Sequence, residues 1–137
     1  MAKQFTLSKQ ERLKSRKQIE KLFAEGKNFG LFPYKVFYLM AREAQPAAGS
    51  LQFGTGVSTR NFKKAVDRNR VKRLTREAWR LQKNELKQLL DEKGCSLNLF
   101  LIFTAKEKVE YRLVKEKVAV ILTKLIKLVN ENNTPDT

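Results

Sequence analysis

The sequence predicts a single α+β domain across its 137 residues, and three observations predict it. A stretch from Asn61 to Lys93 holds no proline or glycine and is rich in Ala, Leu, Lys, Arg, Glu and Gln, which favours helix. A nearly continuous apolar run from Leu97 to Phe103 has the length of a strand. Beyond it, Val114, Val118, Ile121, Leu122, Leu125 and Val129 recur at spacings of three and four, the signature of one apolar face on a closing helix. The length suits one domain, a hydrophobic content of 42% fills one core, and no internal repeat is visible.

Taken in order, Ser8-Lys9-Gln10-Glu11 matches a capping box, so a helix is expected to start there. Leu13, Ile19, Leu22 and Phe23 approximate one face of it, and Gly26 is a suitable stop. Asn28 and Gly30 read as a loop. Tyr34 to Met40 is β-branched and aromatic and reads as strand; Ala41 to Ser50, with Pro46 and Gly49, reads as a connection; Leu51 to Ser58 is a second strand. The helical region after Asn61 accommodates one helix or two pieces, and Gly94 ends it. Leu97 to Phe103, with Asn98 as its one polar residue, reads as a strand buried on both faces. The last helix is expected over Val109 to Val129, and residues 1–7 and 130–137 as flexible ends.

Charge narrows the function. Against 14 Asp and Glu stand 29 Lys and Arg, a formal net charge of +15. Self-repulsion of that size in a small domain calls for a polyanion, either nucleic acid or an anionic membrane surface. Met1 to Lys14 lacks a signal-peptide core, and no stretch approaches the roughly 20 apolar residues of a membrane span, so a cytoplasmic protein without a membrane partner is expected. Cys95 is the sole cysteine and no histidine exists, which excludes an intrachain disulfide and a Cys/His zinc site. Cys95 reads as a small residue near a strand start. Asp91 and Glu92 are adjacent, so on a helix they point about 100° apart and do not form a catalytic pair. No phosphate-binding glycine loop and no metal-ligand spacing is present. The protein alone is expected to hold no cofactor or metal.

The informative segment runs from Lys63 to Arg80, where Lys64, Arg68, Lys72, Arg76 and Arg80 fall at four-residue intervals. On a helix this makes a slowly drifting cationic stripe, with Val71, Leu74, Ala78 and Leu81 on the opposite, core-facing side. Such a rod can follow phosphates, and the planar guanidinium also matches a guanine edge. A merely solvated face would mix signs to gain i,i+4 pairs, yet only Asp67 and Glu77 interrupt the basic residues. A membrane-surface helix would carry a broad apolar face of leucines and aromatics, of which Trp79 is the one hint.

Phe62-Lys63-Lys64-Ala65-Val66-Asp67-Arg68-Asn69-Arg70-Val71-Lys72-Arg73-Leu74-Thr75-Arg76-Glu77-Ala78-Trp79-Arg80 resembles the signature of the bacterial ribonuclease P protein family, centred on Arg68-Asn69-Arg70. Upstream, Leu13-Lys14-Ser15-Arg16, Leu22-Phe23, Gly26 and Val57-Ser58 resemble the same family. The resemblance implies a two-layer α+β sandwich of the ribosomal protein S5 domain 2-like kind. Its order is one helix, three strands, helix, strand and helix, with a left-handed βαβ crossover. The fourth strand comes from the resemblance alone.

The resemblance further implies an RNA-binding subunit of ribonuclease P, one-to-one with a catalytic RNA. Such a subunit also contacts the 5′ leader of precursor tRNA and promotes 5′-end maturation. It would be the accessory protein of an endoribonuclease whose catalytic residues lie on the RNA, with Mg2+ serving the ribonucleoprotein. Carried onto this chain, Lys64, Arg68, Asn69, Arg70, Lys72, Arg73, Arg76 and Arg80 would bind the RNA subunit. Asn69 offers a paired donor and acceptor, or more plainly a hydrogen bond at a helix start. A leader cleft would form where Ile19 and Phe23 on the first helix meet Val36 and Tyr38 on the first strand, with Arg60 and Lys63 beside them. The plainer reading makes Ile19 and Phe23 ordinary core. Ile19 stands where the family often has an aromatic, and Thr59 where it often has a basic residue. Two other functions share these features: a ribosomal or general RNA-binding protein, and a DNA-binding protein that inserts the basic helix into a major groove.

Overall fold

The computed structural model describes residues 12, 13, 15–41 and 51–131. Its elements are α1 (Arg16–Glu25), β1 (Lys27–Leu31), β2 (Tyr34–Ala41), β3 (Leu51–Val57), α2 (Ala65–Gln82), α3 (Asn84–Lys93), β4 (Ser96–Phe103) and α4 (Tyr111–Glu131). The strands form one sheet in the order β1-β2-β4-β3. β1 with β2 and β2 with β4 are antiparallel, while β3 and β4 are parallel. Parallel neighbours need a crossover, and α2 with α3 supplies it. This is the expected α+β architecture, including the fourth strand.

That fourth strand is β1, where Asn28 and Gly30 had suggested a loop. Phe29 pairs with Val36 and Leu31 with Tyr34 across a tight hairpin. Asn and Gly are poor strand formers, but an edge strand needs only Phe29 and Leu31 to pack on the core, and both do.

The start of α1 also differs from expectation. Ser8 to Glu11 lie outside the described residues. Ser15 is the N-cap, its Oγ accepting from Gln18 N at 3.4 Å. Leu13, expected on the helix face, precedes it as extended chain: its N–H donates to Phe53 O at 2.8 Å, and Arg12 forms a parallel bridge with Phe53. Gly26 closes the helix as expected, because a Cβ there would fall 2.5 Å from Leu22 O and 2.7 Å from Tyr38 O.

The long helical region divides at Lys83, and residues 61–64 precede it as non-helical chain, with Lys64 the N-cap of α2. On α2 the buried side chains are Val71, Thr75, Ala78 and Trp79. Leu81, expected to face the core, is 41% exposed, since the buried stripe follows Thr75 and Trp79 round the helix instead. Trp79 is fully buried and stacked on Phe53 at 4.5 Å with 9° between rings, so it is core and no membrane anchor. No described helix is long and apolar enough to cross a membrane.

Gly94, in the left-handed region at φ 67°, ends α3 by donating to Asp91 O and Leu90 O. In β4, Leu97, Leu99, Leu101 and Phe103 are buried while Ser96, Asn98, Phe100 and Ile102 are half-buried. The strand is therefore not buried on both faces. Its buried face meets the apolar stripe of α4, Val114 to Val129, which the spacing predicted. Asn130 and Glu131, expected in the flexible end, continue α4.

Candidate nucleic-acid interface

The half-buried face of the sheet meets α1. Phe23, 42% exposed, leans on Phe37 at 4.8 Å and meets Phe100 edge-on at 5.5 Å. Lys35 Nζ lies 5.3 Å from the centroid of the Phe37 ring. On β3 a Cβ at Gly54 would come 2.7 Å from Phe100 Cδ1, and one at Gly56 would come 3.2 Å from Phe100 Cε2. Two glycines thus leave room for the Phe100 ring to lie across the neighbouring strand.

Beside these rings opens a cleft of about 890 Å³. Arg12, Leu13 and Ile19 form one wall, Gly54, Thr55 and Phe100 the floor, and Arg73, Arg76 and Arg80 with Glu77 the wall contributed by α2. Arg80 grips Glu77 with two nitrogens, Nη2 to Oε2 at 2.7 Å and Nε to Oε1 at 3.2 Å. That hydrogen bond to Glu77 holds the Arg80 guanidinium even more firmly protonated than usual. Arg73 and Arg76 are exposed and make no ion pair with a described residue. A concave site with aromatic floor and guanidinium wall can hold bases by stacking and phosphates by charge-assisted hydrogen bonds.

The signature residues divide between structure and surface. Arg68 Nη1 donates to Phe62 O and to Lys63 O, both at 2.8 Å, and so fixes the chain entering α2. Arg70 Nη1 donates to Val109 O at 3.3 Å, and Asp67 pairs with Lys108 at 3.2 Å, tying α2 to the segment before α4. Asn69 is exposed and lies inside α2, and its side chain bonds no described residue, so its reading as a helix-start hydrogen bond does not hold. Lys64 is exposed with no side-chain capping bond, and Lys72 is half-buried. Because Lys64 precedes the helix, the helical stripe begins at Arg68.

The expected meeting of Phe23 with Val36 and Tyr38 does not occur. Val36 is fully buried and Tyr38 is 8% exposed, both within the core on the other face of β2. Alternation along the strand sends Phe37 to α1 instead. Arg60 and Lys63 are exposed on the segment between β3 and α2 and do not line the cleft. Ile19 does line it.

Sequence reasoning missed Phe37, Phe100 and Arg12. A signal for the first two was present: Lys35 shares the parity of Phe37, and Asn98 that of Phe100, marking the side of each strand that keeps water. Among the described residues no cluster of His, Cys, Asp or Glu could hold a metal ion. Asp91 and Glu92 are exposed, and Cys95 is half-buried with Sγ 3.7 Å from Lys93 O.

Comparison with known proteins points to one family. The "Ribonuclease P protein component" of Porphyromonas gingivalis is 36% identical over 121 residues, covering 88% of this chain and 87% of the relative. That of Chlorobium phaeobacteroides is 30% identical over 125 residues, covering 85% and 86%. The RNase P protein from Thermotoga maritima superposes with a TM-score of 0.61 at 26% identity, over 83% of this chain and 96% of that one. The Staphylococcus aureus RNase P protein shares the fold, with a TM-score of 0.65 at 16% identity over 84% and 94%. Since the family model described as Ribonuclease P also matches residues 7–130, the chain belongs to the ribonuclease P protein family.

Proposed function

We propose that the chain binds the catalytic RNA of ribonuclease P and the single-stranded 5′ leader of precursor tRNA, and thereby promotes tRNA 5′-end maturation. One observation carries this reading: the cleft joins an aromatic floor to an arginine wall in a site open to solvent. An unpaired leader presents both bases to stack and phosphates to neutralise, whereas a duplex hides its base faces. Phe100, with Phe23 and Phe37 behind it, takes the bases; Arg73, Arg76 and Arg12 take the phosphates. The exposed Asn69 and Lys64, with Lys72, lie outside the cleft lining and serve the RNA subunit. Arg68 and Arg70 support that contact by fixing the chain on either side of it.

Chemistry under this reading stays with the RNA, whose phosphates would hold the Mg2+ that the cleavage calls for. The protein contributes orientation of the leader and neutralisation of repulsion between two polyanions. The test adds the chain to a bacterial ribonuclease P RNA and precursor tRNA at low Mg2+. Stimulated 5′ maturation is expected, and no stimulation of intact RNA rejects the function. Phe100→Ala should then weaken binding of leader-bearing precursor about fivefold or more while sparing mature tRNA, in keeping with one lost stacking surface. An equal loss for both RNAs rejects the cleft assignment.

A further inference from the structure

Phe32 is 71% exposed, more than any other described aromatic side chain. It stands at the tip of the β1–β2 hairpin, beyond the last pair Leu31–Tyr34, at the end of the sheet where β3 and β4 finish at Val57 and Phe103. An isolated exposed ring on a loose turn would mean little. This turn is held. Pro33 is buried, and its carbonyl accepts from Thr104 N at 2.7 Å and from Thr104 Oγ1 at 3.0 Å. Thr104 O in turn accepts from Asn61 Nδ2 at 3.2 Å.

Asn61 belongs to Ser58-Thr59-Arg60-Asn61-Phe62-Lys63-Lys64, which carries three cations and no acid. The backbone of this segment is itself fixed, by Arg60 N to Ser58 Oγ at 3.1 Å and by the two bonds from Arg68 Nη1 at 2.8 Å. The relay from Pro33 through Thr104 to Asn61 therefore brings the exposed Arg60 and Lys63 to the same end of the sheet as the Phe32 ring. Neither cation makes an ion pair with a described residue. A fixed backbone that presents one aromatic face and two free cations at the same end of the sheet offers what an unpaired stretch of RNA requires, a surface to stack on and charge for its phosphates.

The place is distinct from the cleft. None of Phe32, Arg60 and Lys63 lines it, and Phe100 on its floor is three residues from the strand end, about 10 Å along β4. We propose that this end of the sheet is a second RNA contact, in which Phe32 stacks on one unpaired base while Arg60 and Lys63 hold the adjoining phosphates. The assignment rests on the reading of the chain as RNA-binding.

The test uses the full chain with a fluorescent unpaired oligouridine and an RNA hairpin at matched salt. Phe32→Ala should bind the unpaired strand about tenfold more weakly and the hairpin as before, with an unchanged melting temperature because the ring is exposed. Phe32→Trp should keep the affinity, and its emission should be quenched when a base stacks on it, against the constant signal of buried Trp79. Arg60→Gln with Lys63→Gln should flatten the salt dependence by about 1.4 in log–log slope for two phosphates of a single strand. Wild-type affinity of Phe32→Ala, or unquenched emission from Phe32→Trp, overturns the second contact and leaves the cleft reading standing. Failure of the wild-type chain to bind both the oligouridine and a ribonuclease P RNA overturns both.

Discussion

On the face of the sheet beneath α2, α3 and α4, Val36, Leu99 and Leu101 are fully buried, whereas their chain neighbours Phe37, Phe100 and Ile102 on the α1 face are half-buried. The first face is sealed by aliphatic side chains and the Phe53–Trp79 stack. The second combines Lys35, Asn98, two glycines and three aromatic rings with a cleft walled by arginine. One parity of each strand thus serves stability, and the other keeps apolar rings within reach of a ligand. A shift of one residue moves a side chain from one task to the other.

The sharpest way to break this division is to cut into the sealed face. Trp79→Ala should destabilise the fold by about 3–5 kcal/mol in denaturant unfolding, because it empties a fully buried site and removes the stack on Phe53. Trp79 Nε1 finds no acceptor among the described residues. Trp79→Phe, which keeps a ring and removes that buried donor, should therefore recover most of the loss. Phe100→Ala on the open face should cost clearly less than Trp79→Ala. Equal losses would show that the two faces contribute alike.

The sealed face also leaves a mark on pH dependence. Tyr34 bonds Thr75 Oγ1 at 2.7 Å, and the Thr75 hydroxyl donates to Val71 O at 2.9 Å, so the Tyr34 hydroxyl is the donor between them. Burial pushes the Tyr34 hydroxyl from 10.0 up to about 12. A raised folded-state value means that the unfolded chain ionises first. The stabilisation is complete below pH 10 and is lost as pH climbs towards 12, by up to about 3 kcal/mol. Tyr34→Phe should lose stability at neutral pH yet show a flatter decline than wild type between pH 10 and 12. Parallel curves would reject the buried-phenol account.

These two faces were unequally legible in the sequence. The apolar stripe of α4, the helix break at Gly94 and the basic run of α2 follow from helical periodicity and glycine geometry, which are local properties. The inner side of β2 was not legible, because Tyr34 to Met40 is apolar or aromatic on both parities except for Lys35. Lys35, on the parity of Phe37, was the one mark of the open side, and a single lysine was too weak a signal to displace Val36 and Tyr38 before the packing was known. Leu13 looked helical by spacing, but its hydrogen bond to Phe53 O depends on a strand 40 residues away. The bonds from Arg68 to Phe62 O and Lys63 O likewise depend on how residues 61–64 turn into α2, so a signature arginine could not be told from a structural one. The chemistry of the cleft was readable as a type, cations beside aromatics, before its members were.

A gentler cut at the open face sharpens the comparison most. At Gly54 a Cβ would lie 2.7 Å from Phe100 Cδ1, 2.8 Å from Phe100 Cε1 and 3.1 Å from Leu13 O. Leu13 is anchored through its own N–H to Phe53 O, so the Phe100 ring has to yield. At Gly56 the same ring is 3.2–3.3 Å away and no backbone atom is close, so a small displacement suffices there. Gly54→Ala should cost about 1–2 kcal/mol, less than the emptied Trp79 site, while Gly56→Ala should cost under about 1 kcal/mol. Their effects on RNA should diverge further. A displaced Phe100 spoils the cleft floor, so Gly54→Ala should lose discrimination between leader-bearing precursor and mature tRNA, measured as the ratio of their Kd values, and Gly56→Ala should retain it. If Gly54→Ala is destabilised yet discriminates as wild type does, Phe100 is packing for α1, and the recognition surface must lie along the arginine wall alone.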